Sequence, residues 1–225
     1  MVKIGYEGIQ GSHSEDALQQ LLETQPAFQQ KNAVTEGFST FEDLLTKVVG
    51  GELDLALVPI ENSIAGSFFG VVDLILSKNL SIVGEYEHSE IQVLAALSGT
   101  KLEALQEVHS HPYAFDQCRP FLATALKDKK LVQSMDTAGS CALISKRKDG
   151  NVGAIASSRA ASLYGLEVLS EIASEQSVTR YVLVAKDPII PERHTNPRTS
   201  IQIVLKNQVG AIMKAVTVFA HRDIR

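Results

Sequence analysis

An α/β fold is the class this sequence predicts, and three observations carry it. Short β-rich apolar runs alternate with amphipathic helical stretches almost throughout the 225 residues. The helical stretches are long enough to act as crossovers in βαβ units, which implies largely parallel sheets. Polar clusters sit just past the strand-like runs, where ligands bind in open α/β sheets and helix N-termini also point.

Taken in order, the strand candidates are Val2–Tyr6, Val34–Phe38, Leu53–Pro59, Ser81–Glu85, Gln92–Leu97, Glu107–Ser110, Leu131–Ser134, Val152–Ala156 and Thr179–Ala185. Between them, apolar residues at helical spacing mark Glu15–Glu23, Phe41–Val49, Phe69–Leu76, Tyr113–Leu126 and Ala138–Lys146. Ser39-Thr40-Phe41-Glu42 has capping-box spacing for the second of these helices, and Pro112 suits the first turn of another. After Pro188, Pro191 and Pro197, a strand over Thr199–Lys206, a turn over Asn207–Gly210 and a helix over Ala211–His221 read as the opening of a second, small domain. About 28 residues cannot build a core of their own, so this opening is expected to be incomplete within the chain.

Composition narrows the classes. Hydrophobic residues make up 44% and charged residues 21%, ordinary for a folded domain and unlike a disordered chain. A net charge of −5 and a pI near 5.7 argue against nucleic-acid or acidic-membrane partners. Lys146-Arg147-Lys148, the one tight basic run, falls at an expected helix end, where cations complement the dipole. No stretch approaches the roughly 20 apolar residues of a membrane helix. The chain enters its first strand at Val2, which leaves no room for a signal peptide. Cys118 and Cys141 show no CxxC spacing and read as buried thiols of a reducing compartment. The expected location is the cytoplasm, or the plastid stroma for an enzyme stripped of its transit peptide.

Four clusters carry candidate chemistry: Pro59–Gly66 (PIENSIAG), Ser110–Cys118 (SHPYAFDQC), Asp136-Thr137-Ala138 and Val178-Thr179-Arg180-Tyr181. Together they suggest a site that holds a small polyanion among hydroxyls, amides and helix ends. Each also has a plainer reading. Asn62 and Ser63 can cap the next helix or donate to a substrate carboxylate. Gln117 can point back to the pocket or to solvent. On a strand, Thr179 and Tyr181 share one face and Arg180 takes the other, so an edge threonine and a surface arginine satisfy the same pattern. The Gly5–Gly11 loop lacks GxGxxG spacing and reads as a tight turn or a substrate-lining loop. His109 and His111 have no third ligand of matching geometry, so no metal site is assigned. Neither a GxSxG elbow nor a P-loop is present. Glu61 and Asp136 are the few carboxylates near the clusters, and that scarcity is expected around an anionic substrate.

With these segments, Ala156–Leu169 (ASSRAASLYGLEVL) and Thr199–Ile224, the chain resembles the prephenate dehydratase family and its arogenate dehydratase relatives over essentially its whole length. The resemblance implies two α/β lobes like those of type II periplasmic binding proteins, with the active site in the cleft between them. It places a catalytic domain over 1–190, with one lobe about 1–78 plus 176–188 and the other about 79–175. A linker over 191–198 and the start of an ACT regulatory segment over 199–225 follow. It implies cofactor-free loss of CO2 and the ring hydroxyl from prephenate, giving phenylpyruvate, or from arogenate, giving phenylalanine, in phenylalanine biosynthesis. Thr179 is then the group at the leaving hydroxyl. Arg180, Asn62 and Ser63 bind carboxylate, and Ser110, Gln117, Thr137 and Ala138 line the pocket beside Tyr181. Tyr181 stands where the family has Phe, so a buried hydroxyl there needs a partner. Gly210, Ala211 and Ile212 fall in the effector motif, with Val209 in place of its proline, and a weak response to phenylalanine is expected. A homodimer or homotetramer is implied as well. The reading of a different class is a two-lobed small-anion binding or sensor protein without chemistry.

Overall fold

The structure is a computed structural model that describes residues 1–25, 28, 32–188 and 198–224. It divides into two compact units, Met1–Ile190 and Pro191–Arg225. In the first, strands β1 (Val2–Glu7), β2 (Ala33–Phe38), β3 (Leu55–Asn62) and β4 (Gly66–Ser67) alternate with helices α1 (His13–Thr24), α2 (Phe41–Val49) and α3 (Phe69–Ser77). The long strand β5 (Ser81–Ala96) leads to β6 (Glu107–Ser110), helices α4 (Pro112–Gln117) and α5 (Arg119–Ala125), and β7 (Lys130–Gln133). Helix α6 (Thr137–Arg147), β8 (Val152–Ala156), α7 (Ser158–Leu163) and the 19-residue β9 (Glu167–Ala185) complete the unit.

These strands form one sheet in the order β2-β1-β3-β9-β5-β8-β6-β7, with β4 paired to β3. Its two flanks, β2-β1-β3 and β8-β6-β7, are each parallel, as crossover helices require. The centre differs from the largely parallel sheet expected. The separate strands read at Ser81–Glu85 and Gln92–Leu97 are one strand, β5, antiparallel to β9 over most of its length. The polar residues between the two apolar runs, which resemble a loop in sequence, are bridged by a partner strand that satisfies their backbone groups.

Period-two alternation distributes the core. On β9, Val182 and Val184 pack with Leu44, Leu45, Val48 and Ala56 on one face. Tyr181, Leu183 and Ala185 pack with Ile4, Leu18 and Leu21 on the other. The opposite flank has its own pair of clusters, around Ala154, Cys141 and Ile144 on one side and Val108, Phe115 and Ile155 on the other. Both cysteines are buried and free, and burial pushes each thiol up to about 12.

Helix starts follow local chemistry. Ser12, Thr40, Asp136 and Ser157 each accept a backbone N–H of the first turn of the helix they cap. The single helix expected over Tyr113–Leu126 is broken at Cys118, because Pro120 has no N–H with which to continue the first helix. Gly8 and Gly11 adopt φ of 115° and 92°, so the first β–α loop needs glycine at both positions.

Of the expected linker, 191–197 lies outside the described residues. In the second unit the strand expected over Thr199–Lys206 does not form, since no neighbouring strand among the described residues receives its hydrogen bonds. The helix is present as α8 (Ala211–Ala220), opened by Gly210 at φ 78°. Among the described residues no helix is long and apolar enough to cross a membrane.

Candidate active site

A cavity of about 590 Å³ opens in the first unit where the β1–α1 loop, the end of β3, the middle of β5 and β9, and the starts of α4 and α6 converge. Strand register assembles its floor. Asn62 pairs directly with Thr179 across β3 and β9, and Glu90 pairs with Ser177 across β5 and β9. Side chains of Asn62, Thr179 and Glu90 therefore meet on one face although they lie far apart in sequence.

Thr179 is 2% exposed and both of its hydrogen-bonding directions are engaged. Its hydroxyl donates to Glu90 Oε1 at 2.7 Å and accepts from Asn62 Nδ2 at 2.7 Å. The same Asn62 amide donates to Ser177 Oγ at 2.8 Å. Asn62 Oδ1 accepts the backbone N–H groups of Ile64 and Ala65, so Asn62 closes a turn rather than capping a helix. Gln117 Nε2 donates to Glu90 Oε2 at 3.0 Å, and Gln92 Nε2 reaches Gln117 Oε1 at 2.8 Å and His13 Nε2 at 2.9 Å. A buried amide, carboxylate and hydroxyl thus share one connected network.

The structure brings Asn62, Gln117, Thr137, Thr179 and Tyr181 to the cavity wall. Tyr181, 2% exposed, has a hydroxyl partner in Ser14, and burial holds its pKa well above the ordinary tyrosine value. The other expected residues lie elsewhere. Arg180 projects from the opposite face of β9, as alternation demands, and pairs with Glu85 and Glu61 instead of facing the cavity. Ser110 is fully buried and donates to the Ile155 carbonyl at 2.7 Å, tying β6 to β8. Ser63 Oγ accepts Val178 N, which clips the end of β3 to β9. Ala138 packs wholly inside the second flank's core. His109 pairs with Glu107 at 3.3 Å. No group of three or more metal-ligating side chains occurs among the described residues.

Sequence reading missed Glu7, His13, Glu90 and Gln92, all of which line the cavity. The signal was there for Glu90 and Gln92: with His88 they alternate at period two, as one face of a strand does. The expected scarcity of carboxylates is also corrected. Glu7, Glu90 and Asp136 line the cavity, and among the described residues no Lys or Arg does. Helix starts at His13 and Thr137 supply the positive potential instead.

Burial, helped by the neighbouring Asp136 charge, pushes Glu7 up to about 7 from the ordinary 4.5. Between those two values the folded chain holds a proton that the unfolded chain releases. Stability therefore falls as pH rises through this window, and the full cost of the buried Glu7 carboxylate persists above it. Glu7→Gln is expected to raise the urea midpoint more at about pH 8 than at about pH 5. Equal shifts at the two pH values would mean that Glu7 ionises as freely as in the unfolded chain.

The prephenate dehydratase family model matches residues 4–189, a span that contains the whole cavity. The chain belongs to the prephenate dehydratase family. It is 35% identical to arogenate dehydratase 2 of Petunia hybrida over 226 aligned positions, covering 99% of this chain and 55% of that protein. It is 36% identical to the chloroplastic arogenate dehydratase/prephenate dehydratase 1 of Arabidopsis thaliana, with 99% and 55% covered. Among solved structures, the prephenate dehydratase of Arthrobacter aurescens in complex with L-Phe superposes with a TM-score of 0.84 at 28% identity, over 98% of this chain and 73% of that one. The chain thus spans about half the length of the curated relatives it matches.

Proposed function

We propose that this member of the prephenate dehydratase family is a carbon–oxygen lyase that removes CO2 and the ring hydroxyl from prephenate or arogenate. The observation that carries this reading is the Thr179 hydroxyl, held between Asn62 and Glu90 on the wall of a cavity built from family motifs. Aromatisation supplies the driving force, so the reaction needs no cofactor. The protein's task is to hold two carboxylates and to help hydroxide leave. The N-terminal turns of α1 and α6 suit the carboxylates, and a largely neutral Glu7 lowers the repulsion below about pH 7. Thr179 is the group at the leaving hydroxyl, with Asn62, Gln117, Thr137 and Tyr181 around the substrate.

The two parallel flanks of the sheet correspond, in this reading, to lobes of about 1–78 with 176–188 and about 79–175, joined through β5 and β9. A homo-oligomer in the cytosol, or in the plastid stroma as for a chloroplastic relative, fits the same reading. Gly210, Ala211 and Ile212 belong to a single continuous segment that lines a concavity of its own in the second unit.

Incubation with prephenate, followed by phenylpyruvate absorbance, and with arogenate, followed by phenylalanine release, tests the activity. Turnover of at least one substrate is expected, and the two kcat/KM values give the preference. Binding of either substrate without turnover would favour a small-anion sensor of the same fold and overturn the lyase reading.

A further inference from the structure

The orientation of the Thr179 hydroxyl conflicts with the task assigned to it. A threonine hydroxyl has one proton to donate. Here that proton lies on the 2.7 Å bond to Glu90 Oε1, and Asn62 Nδ2 already donates to Thr179 Oγ1. While Glu90 is a carboxylate, which can only accept, Thr179 offers the cavity a lone pair and no proton. A departing hydroxide needs the opposite polarity.

We propose that Glu90 sets the direction of the Thr179 proton, and that only its protonated form lets Thr179 donate to the leaving hydroxyl. The inference rests on the dehydratase reading above. As the ring C–O bond breaks, the electron pair of the C–CO2 bond passes into the ring and CO2 leaves. The departing hydroxide takes the Thr179 proton and leaves as water. Thr179 Oγ takes the Glu90 proton, and the Glu90 carboxylate is reprotonated from solvent. One proton is consumed per turnover, matching the loss of one carboxylate as neutral CO2. Glu90 acts through Thr179 and is a positioning residue.

Glu90 is buried, with Gln117 Nε2 on its second oxygen at 3.0 Å. The titratable groups around it are His88 on its own strand, Tyr181 on β9, His13 and Asp16 on α1 and Glu7 on β1. His111, at the start of α4, faces Asp136 rather than Glu90. Asp16 lies 3.5 Å from His88, whose pKa burial lowers, and among the described residues no Lys or Arg lines the cavity.

The test is kcat as a function of pH, on the full chain with whichever substrate it turns over, for wild type, Glu90→Gln and Glu90→Ala. Wild-type kcat is expected to fall as pH rises. Gln keeps a donor toward Thr179 and an acceptor toward Gln117 but has no proton to pass to Thr179 Oγ, so it should lower kcat by about 10²-fold and abolish the fall. Ala leaves the hydroxyl unanchored and should cost about 10²-fold at every pH. A wild-type kcat that does not fall with pH, a Gln variant that keeps the wild-type fall, or an Ala variant with wild-type kcat would each overturn the proposal. Absence of turnover of both substrates by the wild type would instead remove the dehydratase reading beneath it. Misfolding of the Gln variant leaves the wild-type profile as the deciding measurement.

Discussion

Thr179→Val is expected to lower kcat by about 10²–10⁴-fold, the range lost with a positioned proton donor. Valine keeps the branched shape and removes only the hydroxyl, so the cavity stays filled. The same change leaves Glu90 Oε1 and Asn62 Nδ2 short of a partner in a buried site, at about 1–3 kcal/mol of stability. Thermal unfolding measured beside turnover separates the two effects. A stability loss of this size leaves the protein folded at assay temperature, whereas the rate loss persists in the folded fraction. Thr179→Ser retains the hydroxyl and should keep most of the rate. Near-wild-type turnover by the folded Val variant would remove Thr179 from the chemistry.

Asn62→Asp should have the next largest effect, because Asn62 performs two jobs with two different atoms. Its Oδ1 closes the turn to Ile64 and Ala65, and an aspartate preserves that. Its Nδ2 donates to Thr179 and Ser177, and an aspartate replaces this donor with an acceptor. The Thr179 proton then has two carboxylates competing for it, and the cavity gains a charge repelled by Glu90 and by an anionic substrate. We expect kcat to fall by about 10–10³-fold and KM to rise, with part of the loss recovered at acid pH, where a carboxyl regains a donor. Asn62→Ala should also lose the turn, at about 2–4 kcal/mol of stability. Wild-type kcat and KM in the folded Asp variant would show that the Nδ2 hydrogen bonds do not bear on the reaction.

Local physics made much of this protein legible from its sequence. Strand and helix periods placed β6 and β8 at their observed bounds, and the capping-box spacing over Ser39–Glu42 placed the start of α2 to within one residue of its observed cap, Thr40. Those features depend on neighbours a few residues away: side-chain alternation, caps and the missing N–H of a proline. The resemblance to the prephenate dehydratase family, carried by short motifs, pointed to Asn62, Gln117, Thr137, Thr179 and Tyr181, which do meet at one cavity. What those residues touch was decided elsewhere. Glu90 reaches Thr179 across 89 positions of sequence, and Asn62 reaches it across 117. Both contacts exist because β9 lies between β3 and β5 in one particular register. A shift of β9 by one residue would bring Arg180 to the cavity in place of Thr179, and the same shift of β5 would turn Glu90 to the opposite face. Strand order is not written in any local pattern, and the polar run that conceals the middle of β5 becomes a strand only when β9 receives its hydrogen bonds. The alternation of elements and the chemical types at the site were therefore determined by the sequence alone, through short-range sterics and hydrogen bonding. The carboxylates facing Thr179, the pairing of Arg180 away from the cavity and the burial of Ser110 were decided by long-range strand pairing, which only the tertiary structure expresses.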